Sequence, residues 1–351
     1  MFKYSLIFLF SLILISCNGK KEETKPETEA KDSVAKEVNV YTSRHYDADN
    51  ELYARFEKET GIKVNIIKAD AKQLIARIEQ EGATSPADLL LTVDAGNLWA
   101  AKNKGIATSI TSEILTNNIP AHLRDADKQW FGLTKRARII VYSKDRLKPK
   151  KDMNYSDLAN KEYKGKLLVR PSDNIYNQSL LASIISYEGM EKASAWVKGL
   201  VNNFARKPSG GDSDQIRAIA SGEGDISFVN SYYVAKMLNS DNALDKEAAS
   251  KVGIIFPNQT GRGTHINISG GLVMKNAPHK ENAIKLLEFL SSPEAQEIFA
   301  GGNFEYPVNP NVKANGTLIE FGTFKEDTLN LSILGEKNLD AVKLFDINGW
   351  N

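Results

Sequence analysis

From Val38 onward the sequence alternates short β-branched runs with amphipathic helical stretches, and no other feature limits the fold so tightly. Val38 to Tyr41 reads as a strand. Asp49 to Thr60 reads as a helix with Leu52, Tyr53 and Phe56 on one side, and Gly61 as its stop. Lys63 to Lys68 is a second strand and Gln73 to Glu81 a second helix. Ala87 to Val93 is a third strand, nearly continuous in apolar residues, as a strand covered on both faces should be. A second series starts at the strand Arg138 to Tyr142 and runs through the strand Lys166 to Arg170 and helices at Asn177 to Ser186, Glu191 to Asn203 and Asp214 to Ser221. Strands at Asp225 to Val229 and Val252 to Phe256 close it. Ile266 to Met274 returns to strand-like sequence, and Glu281 to Phe299 reads as one long amphipathic helix. The expectation is an α/β protein of two lobes, each a mostly parallel sheet flanked by helices, with the ligand cleft between them.

The first 37 residues do not fit that pattern. Lys3 supplies a positive start, and Ser5 to Ser16 is an apolar run too short to span a bilayer, which takes roughly 20 residues. Residues 1–16 therefore read as a signal peptide. The run ends in Leu14-Ile15-Ser16-Cys17, which resembles the bacterial lipobox, where cleavage precedes a cysteine that then carries lipid. This implies lipidation at Cys17 and a chain held at the membrane by acyl chains alone. Asn18 to Glu37 holds five Lys and six Asp/Glu with no aromatic residue, so 17–37 is expected to be a disordered, lipid-anchored tether.

Composition then removes several functions. With 45 Lys+Arg against 44 Asp+Glu there is no basic field for nucleic acid. A single cysteine forms neither an internal disulfide nor a thiolate zinc cluster. Gly-x-Ser-x-Gly, His-Glu-x-x-His, the phosphate-binding Gly-x-x-x-x-Gly-Lys-Ser/Thr and Cys-x-x-Cys are all absent, which weighs against a secreted hydrolase and against enzymes generally. His122, His265 and His279 have no partner spacing and read as structural or exposed, and the four tryptophans read as core.

Two segments remain, both containing tyrosine and both directly after strands: Ser43-Arg44-His45-Tyr46-Asp47 and Asn230-Ser231-Tyr232-Tyr233. Ligands of open α/β sheets sit at the carboxyl ends of strands. Ser231 is expected to cap the following helix, whose positive end would favour ionised phenols at Tyr232 and Tyr233. Taken alone, a Tyr-Tyr pair at such a junction is most often packing with a surface hydroxyl, and a His beside a Tyr is most often a solvated turn.

At these residues the chain resembles the iron-binding solute receptors of bacterial ABC transporters, the bacterial transferrins, and within them the subgroup whose site combines a histidine with tyrosines. The similarity rests on Val40 to Tyr46, Glu51 to Tyr53, Ser85 to Asp94, Trp130 to Arg138 and Asn230 to Tyr233. Leu287 to Gln296 is similar to a stretch common to solute receptors of many specificities. The resemblance implies a periplasmic-binding-protein-like fold whose N-terminal lobe covers 38–134 and 262–312 and whose C-terminal lobe covers 135–261 and 313–351. It implies metal ligands at His45 and Tyr46 in the first lobe and at Tyr176, Tyr232 and Tyr233 in the second. It also implies iron as the transported ligand, Fe3+ in preference to Fe2+, a permease and an ATPase as partner chains, a monomer, and a place in the cell envelope at the periplasmic or extracellular face. The chemistry agrees: Fe3+ is a hard acid, and anionic oxygen donors suit it where thiolates do not. Four phenolates around it would leave a charge of −1, with Lys236 and Arg44 as candidates to offset it. A receptor for a small organic solute or anion, such as a polyamine, thiamine or phosphonate, is the alternative, and would place carboxylates or aromatic walls in the cleft with tyrosines pointing away.

Overall fold

The computed structural model describes residues 36–350. The expected signal peptide, Cys17 and nearly all of the tether lie outside the described residues. Glu37, expected as the last tether residue, already belongs to the first strand.

The chain opens with β1 (Glu37–Thr42), α1 (Asp47–Thr60), β2 (Lys63–Lys68), α2 (Ala71–Glu81), β3 (Leu89–Val93), α3 (Ala95–Asn103) and α4 (Glu113–Asn118). There follow β4 (Phe131–Ser143), β5 (Leu167–Leu168), α5 (Ile175–Asn203), α6 (Asp212–Ser221), β6 (Ile226–Asn230), α7 (Ser231–Leu238), α8 (Ala243–Ser250) and β7 (Val252–Ile255). The remainder is β8 (Ile266–Val273), α9 (Lys280–Leu290), α10 (Pro293–Gly302), β9 (Tyr306–Pro307), α11 (Thr317–Glu320), α12 (Ser332–Glu336) and α13 (Asn338–Asn348).

The expected alternation produces parallel pairing of β1 with β2 and β3, and of β5 with β6. Every pair made by β4 or β8 is antiparallel, so the sheet is mixed rather than mostly parallel. The reason is connectivity. The chain leaves its first half along β4 and comes back along β8, and two such neighbours necessarily run in opposite directions.

β4 is the strand both halves share. Phe131 to Ala137 pairs with β8, whereas Arg138 to Tyr142 pairs with β6 and Ile140 to Ser143 with β7. Alternate side chains of a strand point to opposite faces. Accordingly Ile140 joins a large core containing Leu89, Leu91, Leu180 and Leu272, while Ile139 and Val141 join a second core with Ile216, Ile219, Val229 and Leu318. Where β8 runs beside it, close approach demands glycine: a Cβ on Gly270 would lie 2.6 Å from the Phe131 carbonyl oxygen.

Two helices differ from expectation. The stretch Glu281 to Phe299 breaks into α9 and α10, because Pro293 lacks an N–H and its ring collides with the preceding turn. Ser292 caps the new start, its hydroxyl accepting from the Ala295 amide. Conversely, the two helices expected on either side of Gly189 adjoin as α5, with that glycine in the left-handed region at φ +80°. Beyond β9 the chain shuttles: α11 puts Leu318 into the second core, α12 lies against both α3 and α5, and α13 lies along α5.

Candidate metal centre

Each tyrosine of interest stands just beyond a strand. Tyr46 follows β1 and forms the extended residue before α1; Tyr176 lies in the first turn of α5, after β5; Tyr232 and Tyr233 begin α7, directly after β6. The fold brings all four together. The rings of Tyr232 and Tyr233 are 4.2 Å apart between centroids, and the edge of Tyr46 meets Tyr232 at 6.1 Å. Tyr176 is near enough to interact electrostatically with the other three. Tyr46 and Tyr232 are buried and Tyr176 and Tyr233 half-buried, while His45 is exposed and stacks on Tyr46 at 5.2 Å. A cavity of about 500 Å³ opens beside His45 and Tyr176, with Ser43, Lys68, Asn97 and Asn174 on its walls. The tyrosines gather instead of pointing away, which is the reverse of what an organic-solute receptor requires.

The electrostatics correct one expectation. Asn230, not Ser231, is the residue before α7, and the Ser231 hydroxyl instead accepts from the Ala137 amide of β4. Nor does the helix end ionise the phenols. Burial pushes Tyr46 and Tyr232 well above an ordinary phenol and Tyr233 up to about 12, each helped by neighbouring phenols. Desolvation outweighs the partial charge of a helix terminus. Tyr46, Tyr232 and Tyr233 are therefore held as neutral phenols, and a cation is what would favour their ionised form.

Beneath it lies a charge network that the sequence did not announce. Arg44 donates two 2.8 Å hydrogen bonds to Asp49 and a third, at 3.0 Å, to Glu305, with its guanidinium 4.7 Å from the centre of the Tyr46 ring. Arg136 donates to the other Glu305 oxygen at 3.2 Å, and to Ser269 and the Ile268 carbonyl. Burial alone would raise the Glu305 carboxyl, but Arg44 and Arg136 hold it below the usual range. Two arginines and two carboxylates balance here. A second cluster does not balance: Arg138 at 2.7 Å and Arg170 at 3.2 Å share the single carboxylate of Asp212. Both guanidiniums stand near the Tyr176 ring, Arg138 at 6.0 Å and Arg170 at 5.3 Å from its centroid. Two guanidiniums on one carboxylate thus set positive charge beside the phenols, with the Asp94 carboxylate also near Arg138. Arg44, expected to supply it, is neutralised by its carboxylates, and Lys236 is exposed on α7 with no ion pair among the described residues.

Arg136 and Arg138 did leave a trace in the sequence, as charges two positions apart directly before the apolar run Ile139-Ile140-Val141. Glu305 left none, being 261 residues from Arg44. Of the other histidines, His122 contacts Glu326 and His279 contacts Asp88, while His265 is buried. Trp130, Trp196 and Trp350 are core residues, and Trp99 is half-buried against Gly335.

Among the described residues no group of three or more His, Cys, Asp and Glu side chains is arranged to hold a metal ion. The gathered phenols are the donor set left, and hard oxygen donors suit a hard cation. Residues 51–326 match the family model described as bacterial extracellular solute-binding protein. Iron uptake protein A1 of Synechocystis is 47% identical over 340 residues, covering 97% of this chain and 94% of that protein. The chain belongs to the bacterial extracellular solute-binding proteins. This solute-binding protein is also similar, at 28% identity over 89% of its length and 93% of the relative's, to the major ferric iron-binding protein of Neisseria meningitidis. Among solved structures, a Trichodesmium protein in complex with iron and citrate superposes with a TM-score of 0.87 at 54% identity, covering 90% of this chain and all of that one. The ferric binding protein of Campylobacter jejuni gives 0.85 at 46%, with the same coverage. The fold is thus the two-lobed one of periplasmic binding proteins, and its family is not catalytic.

Proposed function

We propose that this solute-binding protein captures iron as Fe3+ through His45, Tyr46, Tyr176, Tyr232 and Tyr233, and hands it to the permease of an ABC transporter driven by a separate ATPase. The observation that carries the reading is the convergence of four phenols from three strand ends in a chain whose described residues offer no competing metal cluster. The relatives named for iron support it. Tyr46 and His45 come from the lobe formed by 38–134 and 262–312, and the other tyrosines from the lobe formed by 135–261 and 313–351, so a bound ion would hold the cleft shut. Four phenolates and Fe3+ sum to −1, a charge that would stand beside the Arg138 and Arg170 guanidiniums sharing Asp212. Lipid at Cys17 would keep the receptor beside its permease, on the extracytoplasmic face.

Adding ferric citrate to the purified protein tests this. Phenolate-to-iron charge transfer should give a visible colour, and Tyr232→Phe/Tyr233→Phe should abolish it while the protein stays folded. A wild-type protein that stays colourless and shows no affinity for the ion would overturn the assignment.

A further inference from the structure

Asp94, at the start of α3, combines three unusual properties. It is one of four non-glycine residues with positive φ among the described residues, and its pair of angles, φ 76° and ψ 129°, lies outside the left-handed helical region altogether. Backbone of this kind persists only where the surroundings over-determine it, and it concentrates at functional sites. The side chain is completely buried. Its two oxygens take three hydrogen bonds: one receives the Ser179 hydroxyl at 2.7 Å and the Gly96 amide at 2.8 Å, the other the Asn267 side-chain amide at 2.7 Å. Capping α3 accounts for the Gly96 bond alone. The other two reach β8 and, in the second lobe, α5.

Ser179 lies three residues after Tyr176, on the same face of α5. One turn back, the contact is reinforced by packing: a Cβ on Gly96 would lie 3.2 Å from Ile175, the residue before Tyr176. Burial pushes the Asp94 carboxyl up to about 6 in spite of its donors and the nearby Arg136 and Arg138, so placing a carboxylate here is costly.

We infer that Asp94 is a positioning residue for the metal centre: through Ser179 it fixes the first turn of α5 against α3, and so sets where the Tyr176 phenol stands relative to Tyr46. Its role rests on the iron reading above. Asp94 works through the helix rather than by touching the ion, and a phenol displaced by a fraction of an ångström makes a poorer ligand.

The test compares Ser179→Ala with Ser183→Ala in the iron-loaded full chain. Ser183 is buried one turn further along α5, but its hydroxyl bonds only the Leu180 carbonyl of its own helix, so it controls for losing a buried hydroxyl. The readouts are the rate at which a competing chelator removes iron and the wavelength of the charge-transfer band. Ser179→Ala should release iron about tenfold faster, as expected for one lost charge-assisted hydrogen bond, with a shifted band, while Ser183→Ala matches wild type. A coloured wild type whose Ser179→Ala variant behaves like Ser183→Ala in both readouts would overturn the positioning role alone. A wild type that never colours would overturn the iron reading and this role with it. Melting temperature separates the two kinds of effect, since a merely structural loss lowers it without moving the band.

Discussion

Tyr232 is a phenol packed edge-on with Tyr46 and at a tilt against Tyr233, and burial holds its proton well beyond the range of an ordinary phenol. A ligand of this kind must lose that proton to bind a cation, so its high proton affinity works directly against the metal. Protons compete harder as pH falls, and iron affinity should fall with them, by up to about tenfold per pH unit for each phenol that binds as phenolate. Titrating iron competition with citrate between neutral and mildly acid pH measures that slope, and a flat profile would mean that the phenols are not ligands. At this scale the sequence was half legible. Tyrosines after strands announce themselves, because a strand followed by a helix fixes where the next side chains emerge. The arginines and Glu305 beneath them did not, since their meaning depends on partners that only the folded chain brings together. Asp94 gives no sign of its role in the sequence, because a positive φ cannot be read from residue type when the residue is not glycine.

Elements were legible where one face is buried against the sheet. β2 matches its expected limits and β1 to within a residue at each end; α1 and α2 each begin two residues earlier than expected, α1 with the exposed Asp47 of its first turn and α2 with Ala71, a small residue at the head of the buried stripe of Leu74, Ile75 and Ile78. β4 proved longer than its apolar part, because Phe131 to Ala137 carries Lys135, paired with Glu326, and the buried Arg136, balanced by Glu305. Pro293 was visible and sufficient to break the helix expected there, yet hydrophobic period alone runs straight through it. Close contacts between elements stayed hidden. At α12 a Cβ on Gly335 would lie 2.3 Å from Trp99 of α3, so Gly335→Ala must push the two helices apart. Overpacking of this kind costs about 1–3 kcal/mol. Urea unfolding of the variant should show a midpoint lowered accordingly, with an unchanged dependence on denaturant.

Across the whole molecule, sensitivity to acid is built in at a histidine kept neutral. Burial pushes His265 down to about 3 from 6.5, with Arg262 and Arg138 adding to the effect. Between those values the unfolded chain carries a proton on this residue that the folded chain does not. Stability is therefore complete above pH 6.5 and is lost progressively as pH falls toward 3, with a ceiling on the order of 5 kcal/mol. Unfolding free energies across this range should decline with falling pH, and His265→Gln should flatten the decline. The whole-molecule plan was legible because two strand-helix series without a flexible linker leave few arrangements. The direction of the sheet was not, because it depends on how often the chain passes between its halves.

β4 carries a last consequence. A strand whose Phe131, Leu133 and Ile140 fill one core and whose Ala137, Ile139 and Val141 fill another cannot be lost by either half alone. Melting one half strips the other of its central strand, so the two lobes share one fate. Calorimetry should record a single peak whose van't Hoff and calorimetric enthalpies agree, although the fold is built as two lobes.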